Sequence, residues 1–272
     1  RFRYDINPLF FDASLPEMLS SRIPTTLSDF TGSFFVETLI KKDFSLKIGA
    51  IFKRLNMYAS SPALVTTFQG VKYQIEESDF FSTNATLKYD TLDDVFFPSN
   101  GFLFEGSGDL YLTASKYDNF SQFLILKTNI AKAFSINDRI SLLAGTEGGF
   151  MVGGDKISAL NFGLGGYAHN HLNNNGSFFG YDFFSLSGNS FVKAYFSADY
   201  EFRKRHHINL SGNFANIGND IFLEKEWLTL PDYMGFAIGY GLETIFGPIE
   251  LKFHWSPEND YSGAFVNLGY WF

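Results

Sequence analysis

The sequence predicts an all-β chain folded as a transmembrane antiparallel β-barrel of about twelve strands. Three observations carry this prediction. The last residues, from Ser262 onward, alternate strictly: Ala264, Val266, Leu268, Tyr270 and Phe272 fall on one side of a strand, with Gly263, Phe265, Asn267, Gly269 and Trp271 on the other. A chain ending on an aromatic carboxylate is hard to bury in a soluble core. In a barrel the apolar side meets lipid while the terminal aromatics sit at the interface. Composition agrees, because 19% of residues are aromatic while mean hydropathy is only -0.04. No run of about twenty apolar residues offers a transmembrane helix. The third observation is that the same odd-even pattern returns along most of the chain.

Several classes are excluded at this stage. Without cysteine there is neither a disulfide framework nor a thiolate metal site. A net charge of -8 argues against a nucleic-acid partner. A soluble sandwich of ordinary size would not need so many alternating strands, and no repeated blade motif supports a propeller. One barrel domain over residues 1–272 is expected.

In chain order, Phe2, Tyr4 and Ile6 alternate against Arg1, Arg3, Asp5 and Asn7, and Pro8 is expected to stop that strand. Residues 13–30 read as a long loop, so that 1–30 are a strand end and a loop. Phe34, Val36, Thr38 and Ile40 form an outward row. A Lys41-Lys42-Asp43 turn leads to Phe44, Leu46, Ile48, Ala50 and Phe52, opposed by inward Ser45, Lys47, Gly49, Ile51 and Lys53. After a loop near 59–79, Phe81, Thr83, Ala85, Leu87 and Tyr89 alternate with Ser82, Asn84, Thr86 and Lys88. Acidic, Pro and Gly punctuation from Asp90 to Gly101 marks a turn. Strand 102–114 carries Glu105, Ser107 and Asp109 inward, 119–133 is less regular, and 139–152 sets Ser141 and Glu147 opposite Ile140, Leu142 and Phe150.

Residues 153–190 break the rhythm with Gly, Asn and Ser, and a loop this long in a compact barrel is usually functional. Beyond it Val192, Ala194, Phe196, Ala198, Tyr200 and Phe202 oppose Lys193, Tyr195, Ser197, Asp199 and Glu201. Arg203 to His207 make a basic turn, read as a solvated charge run. Ile208, Leu210 and Phe214 open the next strand, 217–233 form a loop, and strands 234–246, 248–256 and 262–272 close the chain. Inward Glu105, Asp109, Glu147, Asp199, Glu201, Glu243 and Glu250 against Lys47, Lys193 and Lys252 predict a hydrated, ion-paired lumen with no acid/base pair recognisable from spacing. His169-x-His171 lacks the neighbouring ligands of a metal site and reads as solvated loop. No cofactor is expected.

These residues resemble a family. Asp90-x-x-Asp93 followed by Phe97-Pro98 and Gly101 is similar to the strand-turn-strand signature of the outer-membrane insertase and transporter superfamily, the BamA, TamA and two-partner-secretion group also known as bacterial surface antigen. Phe246-Gly247-Pro248, Ile249 to Phe253, Pro257 and an alternating strand ending in Phe resemble the same family's ending. Gly165-Gly166 followed by Phe178-Phe179-Gly180-Tyr181 lies where the family carries a long inward loop with a Val-Arg-Gly-Phe/Tyr tip. The resemblance spans roughly residues 80–272. It implies a bacterial outer-membrane location, lipid as partner, and recognition by the barrel-assembly machinery through a C-terminal signal that includes Tyr270 and Phe272. It also implies that the loop folds into the lumen.

Two departures stand out. Phe179 replaces the tip Arg, and Asn216 stands for the Asp of a Phe-x-Asp-x-Gly pattern whose other members here are Phe214 and Gly218. Losing one of two facing charges would leave the other buried alone at several kcal/mol, so losing both is coherent. The tip is then expected to be held by aromatic packing of Phe178, Phe179 and Tyr181. The family barrel has sixteen strands with the loop between the eleventh and twelfth, which sets Arg1 near the fifth. Either strands and an N-terminal region precede this chain, or it is a barrel of fewer strands. An export signal, absent here, is expected upstream of Arg1.

The opening region and the altered tip are more similar to barrels fused behind patatin-like lipases, which implies an attached hydrolase with a Ser-Asp dyad. Neither Gly-x-Ser-x-Gly nor Asp-Gly-Gly occurs in this sequence, so the chain itself is expected to have no catalysis. Three function classes stay open: an anchor or export barrel for an attached domain, a factor for outer-membrane protein assembly, and a diffusion porin.

Overall fold

A computed structural model describes the backbone of residues 2–12, 22–61, 71–154, 157–167 and 174–269, and the side chains of 26–58, 74–154, 157–167 and 174–269. The first half of the wall consists of β1 (Phe2–Asp12), β2 (Arg22–Lys41), β3 (Phe44–Ser61), β4 (Val71–Asp90), β5 (Gly101–Ala114), β6 (Phe123–Asn137) and β7 (Ile140–Gly153). Three short strands follow, β8 (Phe162–Leu164), β9 (Asn175–Gly176) and β10 (Leu186–Gly188), which form a small sheet of their own. The wall resumes with β11 (Ser190–Arg203) and β12 (His206–Gly218). After a short helix α1 (Ile221–Glu224) it ends with β13 (Tyr233–Thr244), β14 (Gly247–Trp255) and β15 (Ser262–Leu268). The large sheet has twelve antiparallel strands in sequence order, with β7 pairing directly to β11 across the inserted segment.

Alternation sorts the wall into two faces. Phe34 is 76% exposed and Val266 59%, and Ile48, Leu210, Ile238 and Leu251 share that outer row; on the other face Asp29, Lys193, Asp199, Asn209 and Asn267 are buried. Moving each large apolar side chain from water into lipid is favourable by roughly 1.5–3 kcal/mol, whereas the inner polar groups require partners. That inversion of a soluble protein is what a transmembrane barrel needs. No helix among the described residues is long and apolar enough to cross a membrane.

The expected strand count holds, but several boundaries move. β1 runs through Pro8 to Asp12, and β2 starts at Arg22, within the segment read as loop. Among the described residues β1 pairs only with β2, so the N–H that proline lacks can fall on the unpaired side. β3 and β4 likewise extend to Ser61 and from Val71, where a loop near 59–79 was expected. In these upper stretches the contrast inverts, with Leu27, Leu55 and Met57 buried inward beside the plug and the exposed Arg54–Asp79 pair outward, so the pattern of a lipid-facing strand is lost although the hydrogen-bond ladder continues.

Candidate functional site

The segment between β7 and β11 lies on the concave polar face and forms a plug. Its 3-10 turn Ser158–Leu160 and strands β8 to β10 place Leu160, Phe162, Leu164 and Phe178 against wall residues Phe80, Tyr111, Phe123, Ile125 and Phe191 in one buried cluster. This accounts for the weak alternation of β6. Phe123 and Ile125 point inward, yet they meet the plug and not water.

The glycines set the plug's path. Gly165 (φ +136°) and Gly166 (φ +69°) take conformations that L side chains avoid, and Gly166 bridges to Phe178. The Gly166 N–H donates to the Tyr181 carbonyl at 2.9 Å, and the Phe178 N–H donates to the Gly166 carbonyl at 2.8 Å. The two dipeptide signals noted in the sequence are therefore one folded unit.

At the tip Phe178, Phe179 and Tyr181 are buried and Gly180 adopts φ +73°. The Gly180 N–H donates to His254 Nδ1 at 3.0 Å, which requires that nitrogen to be unprotonated. A Cβ on Gly180 would lie 2.3 Å from Ser256 N, and one on Gly235 would lie 1.9 Å from Phe179 O. Backbone therefore rests on backbone where tip meets wall. Aromatic contacts complete the seat. Phe179 stacks on Tyr167 with centroids 5.2 Å apart, Tyr167 meets Phe265 edge-on at 4.7 Å, and Tyr181 meets Tyr233 at 5.7 Å. The Tyr181 hydroxyl donates to Glu258 at 3.1 Å.

Charge enters along the stem. Lys193 pairs with Glu147 at 2.7 Å and donates to the Ser177 carbonyl at 3.2 Å. Lys252 pairs with Glu250 at 3.5 Å and donates to the Tyr167 hydroxyl at 2.7 Å. Lys127, 3.6 Å from Asp109, donates to Asn174 Oδ1 at 3.1 Å. Each of these three wall lysines thus joins a wall carboxylate to a plug oxygen. Lys53 and Asp29 form a further inward pair at 3.5 Å.

The second sequence signature folds under the opposite end. Asp93 Oδ1 accepts from the Ser99 and Asn100 N–H groups at 2.8 and 3.0 Å, Oδ2 accepts from the Ser99 hydroxyl at 2.5 Å, and Asp90 Oδ1 caps the Leu92 N–H at 3.1 Å. Gly101 has φ +118°, and a Cβ there would stand 2.2 Å from the Thr91 carbonyl oxygen. The turn so fixed sends Phe97, next to Pro98, across the concave face onto His207, with rings 4.2 Å apart and 7° from parallel. His207 is in turn bonded to Asp199 at 2.7 Å.

One sequence assignment requires correction. Asn216 shares a side of β12 with Ile208, Leu210 and Phe214, the outward side, and its amide donates to Glu226 O at 2.8 Å and accepts from Asp232 N at 2.7 Å. Phe214 lies outward, stacked on Phe196 and edge-on to Phe236. The residue that reaches the tip from β12 is Asn213. With its amide turned to satisfy both neighbours, it donates to the Gly235 carbonyl at 3.2 Å and accepts from the Phe179 N–H at 3.1 Å. A strand's period is two, so a pattern placed one residue out of phase lands on the wrong face. Gly218 does touch the plug, since its carbonyl lies 2.3 Å from where a Gly188 Cβ would be. His254, Gly235, Tyr167 and Asn213 are the seat residues that sequence reading missed; the inward parity of Asn213 and His254 was their only signal.

His169, His171, Tyr270 and Phe272 lie outside the described residues. Among the described residues no three His, Cys, Asp or Glu side chains cluster to hold a metal.

The OMP85 superfamily model matches residues 1–272. No curated protein matches the sequence. A crystal structure of BamA from Haemophilus ducreyi lacking POTRA domains 1–3 is similar at 14% identity and a TM-score of 0.60, covering 91% of this chain and 54% of that one. That likeness concerns the fold, and this chain spans about half the length of that structure. With alternating faces, an inserted plug and a family match over its whole length, the chain belongs to the OMP85 superfamily and is a bacterial outer-membrane β-barrel of the BamA/TamA type.

Proposed function

We propose that this barrel anchors or exports an attached soluble domain, and that the domain is the patatin-like lipase implied by the sequence resemblance. The observation that carries this reading is the plug. Leu160, Phe162, Leu164 and Phe178 are almost wholly inaccessible beside Phe80, Phe123 and Ile125, which supports a lumen stoppered by an apolar core. Ions do not cross such a core at rest, because each would lose its hydration without gaining a partner. Space remaining on the concave face includes separate cavities of about 330, 250 and 260 Å³, each reached by charged side chains.

Planar-bilayer recording separates this reading from a porin. The intact protein is expected to show no steady conductance, and a stable ohmic pore would overturn the proposal. The attached domain is tested by the sequence encoded upstream of Arg1, where a Gly-x-Ser-x-Gly and an Asp-Gly-Gly motif are expected. Tandem βαα modules there, with neither motif, would favour an assembly factor. One observation supports that second reading. Among the described residues β1 and β15 stand at the two ends of the sheet and make no ladder with each other, as a seam that opens between first and last strands requires. Faster insertion of a test barrel into liposomes containing this protein would decide for assembly.

A further inference from the structure

We infer that the β12–β13 connection, Ile221 to Leu230, is an interfacial anchor that inserts into the acyl chains of the outer leaflet. The sequence offers it as an ordinary loop between strands, yet four of its large apolar side chains face outward: Leu223 is 80% exposed, Trp227 40%, Leu228 67% and Leu230 87%. What they touch is fixed by how the segment is mounted. It leans over the outer side of the wall, not into the lumen, because Phe222 packs on Phe150, a member of the outward row of β7, with centroids 5.2 Å apart. Trp227 follows at 5.8 Å from Phe222, so the apolar surface of the wall continues without interruption into the segment.

Asn216 explains why a polar side chain can sit on the lipid-facing side of β12. It is 3% exposed, and it donates to Glu226 O at 2.8 Å and to Thr229 Oγ1 at 3.1 Å while accepting from Asp232 N at 2.7 Å. Every hydrogen-bonding position of that amide in contact with the segment is used to clamp it against the strand. On the inner side Ile221 is buried, its N–H donates to Ser190 Oγ at 3.1 Å, and the Asp220 N–H donates to Asn189 Oδ1 at 2.8 Å. The base is thus rigid and the exposed leucines are held in place.

The membrane level follows from topology. Four of the five connections at one end of the wall, 42–43, 138–139, 204–205 and 245–246, are two-residue turns, the fifth being the hydrogen-bonded 91–100 turn, while this segment sits at the other end, where every connection between described strands is six residues or longer. In outer-membrane barrels short turns face the periplasm and long loops the exterior. The segment therefore lies at the outer leaflet. Its composition suits that level: Trp prefers the headgroup boundary, Leu the first carbons of the chains, and Glu224, Lys225 and Glu226 interrupt the apolar positions with groups that reach water.

Trp227 provides the probe. The chain has three tryptophans and no cysteine, so a W255F/W271F variant leaves Trp227 as the sole indole and Leu228→Cys supplies a unique labelling site in the otherwise native protein. Both are reconstituted in phosphatidylcholine/phosphatidylglycerol vesicles, and folding is checked by the gel shift on heating. The expected result is strong quenching of Trp227 by phosphatidylcholine brominated near the glycerol end of its acyl chains, with iodide quenching several-fold weaker than for free indole. A spin label at position 228 is expected to collide with oxygen in preference to an aqueous nickel chelate. Iodide quenching equal to that of free indole, with no effect of brominated lipid, would overturn the inference. So would a label at 228 fully open to the chelate, as a protein-docking loop would be. If the tryptophan variant does not fold, the label decides.

Discussion

Replacing Gly180 by alanine tests how the plug tip is seated. The new Cβ would lie 2.3 Å from Ser256 N and 2.4 Å from Trp255 C, both backbone atoms that cannot rotate away. Reaching ordinary contact at 3.4 Å requires the tip to withdraw by about 1 Å. The Gly180–His254 bond, now 3.0 Å, and the Asn213–Phe179 bond, now 3.1 Å, would then exceed hydrogen-bonding range. Two such bonds contribute about 1 kcal/mol each, and alanine at φ +73° adds about 1–2 kcal/mol of backbone cost. The sum, about 3–4 kcal/mol, corresponds to a roughly hundredfold to thousandfold larger population of undocked tip. Hydrogen–deuterium exchange of peptides covering Phe178–Tyr181, in nanodiscs, reads that population. Gly148→Ala is the matched control, because its Cβ meets nothing nearer than 3.5 Å. Equal tip exchange in the two variants would refute the argument that backbone contact at Gly180 seats the plug.

Three further outcomes follow from the same geometry. Asn213→Ala is expected to speed exchange at Phe179, whereas Asn216→Ala is expected to free residues 221–232 and leave the tip unchanged; the reverse pattern would restore the sequence-based alignment of β12. Burial alone would raise the Asp93 carboxyl, but hydrogen bonds from Ser99 and Asn100 prevail and hold it below its ordinary range. Its contribution to the β4–β5 turn is therefore present above the unfolded carboxylate pKa and lost as pH falls through the lower folded value, so acid should lower the protection factors of Ser99 and Asn100, taken against the intrinsic rate at each pH, in the native protein but not in Asp93→Asn. Lys252→Met strands Glu250, 5% exposed, without its cation, and is expected to cost about 3 kcal/mol in urea unfolding. Adding Glu250→Leu should recover most of that loss; no recovery would mean that Lys252 acts through Tyr167 alone.

The wall was legible because lipid imposes a strict period of two. Rows such as Val192 to Phe202 needed no tertiary knowledge, since one face had to be greasy and the other wet. Legibility stopped where that constraint stops. Above the lipid band β2 has polar Thr26 and Ser28 on its outer side and Leu27 turned in to the plug cluster, the reverse of a lipid-facing row, so a paired strand reads as loop. On β6 the inward Phe123 and Ile125 erase the contrast for the opposite reason, since the plug makes the inner face apolar too. The tip residues Phe178 to Tyr181 could be singled out as a unit, but their seat could not. His254 and Gly235 arrive from strands more than fifty residues further along, brought there only by the packing of β13 and β14 against the plug. Reading Asn216 as the tip's partner erred by a single strand face, a difference that a motif match does not register but a parity count does.

The neutral tip and the charged stem answer one electrostatic problem in two places. The Phe179 ring lies on Tyr167, while its backbone N–H is met by Asn213 and the neighbouring Gly180 N–H by His254 Nδ1. Asn213 and His254 are neutral acceptors there, and together they satisfy two backbone amides of the tip without desolvating an ion. Charge is instead used where cavities border it. Lys127 and Lys193 both line the concave-face cavities, and Glu147, their neighbour there, keeps 27% of its side chain accessible. In such surroundings an ion pair loses less hydration than it would in the apolar cluster around Phe178, and each lysine can spend its spare donors on a plug oxygen. Exchanging Phe179 alone for arginine would therefore remove its stacking on Tyr167 and set a second cation beside Lys252, which already donates to the Tyr167 hydroxyl.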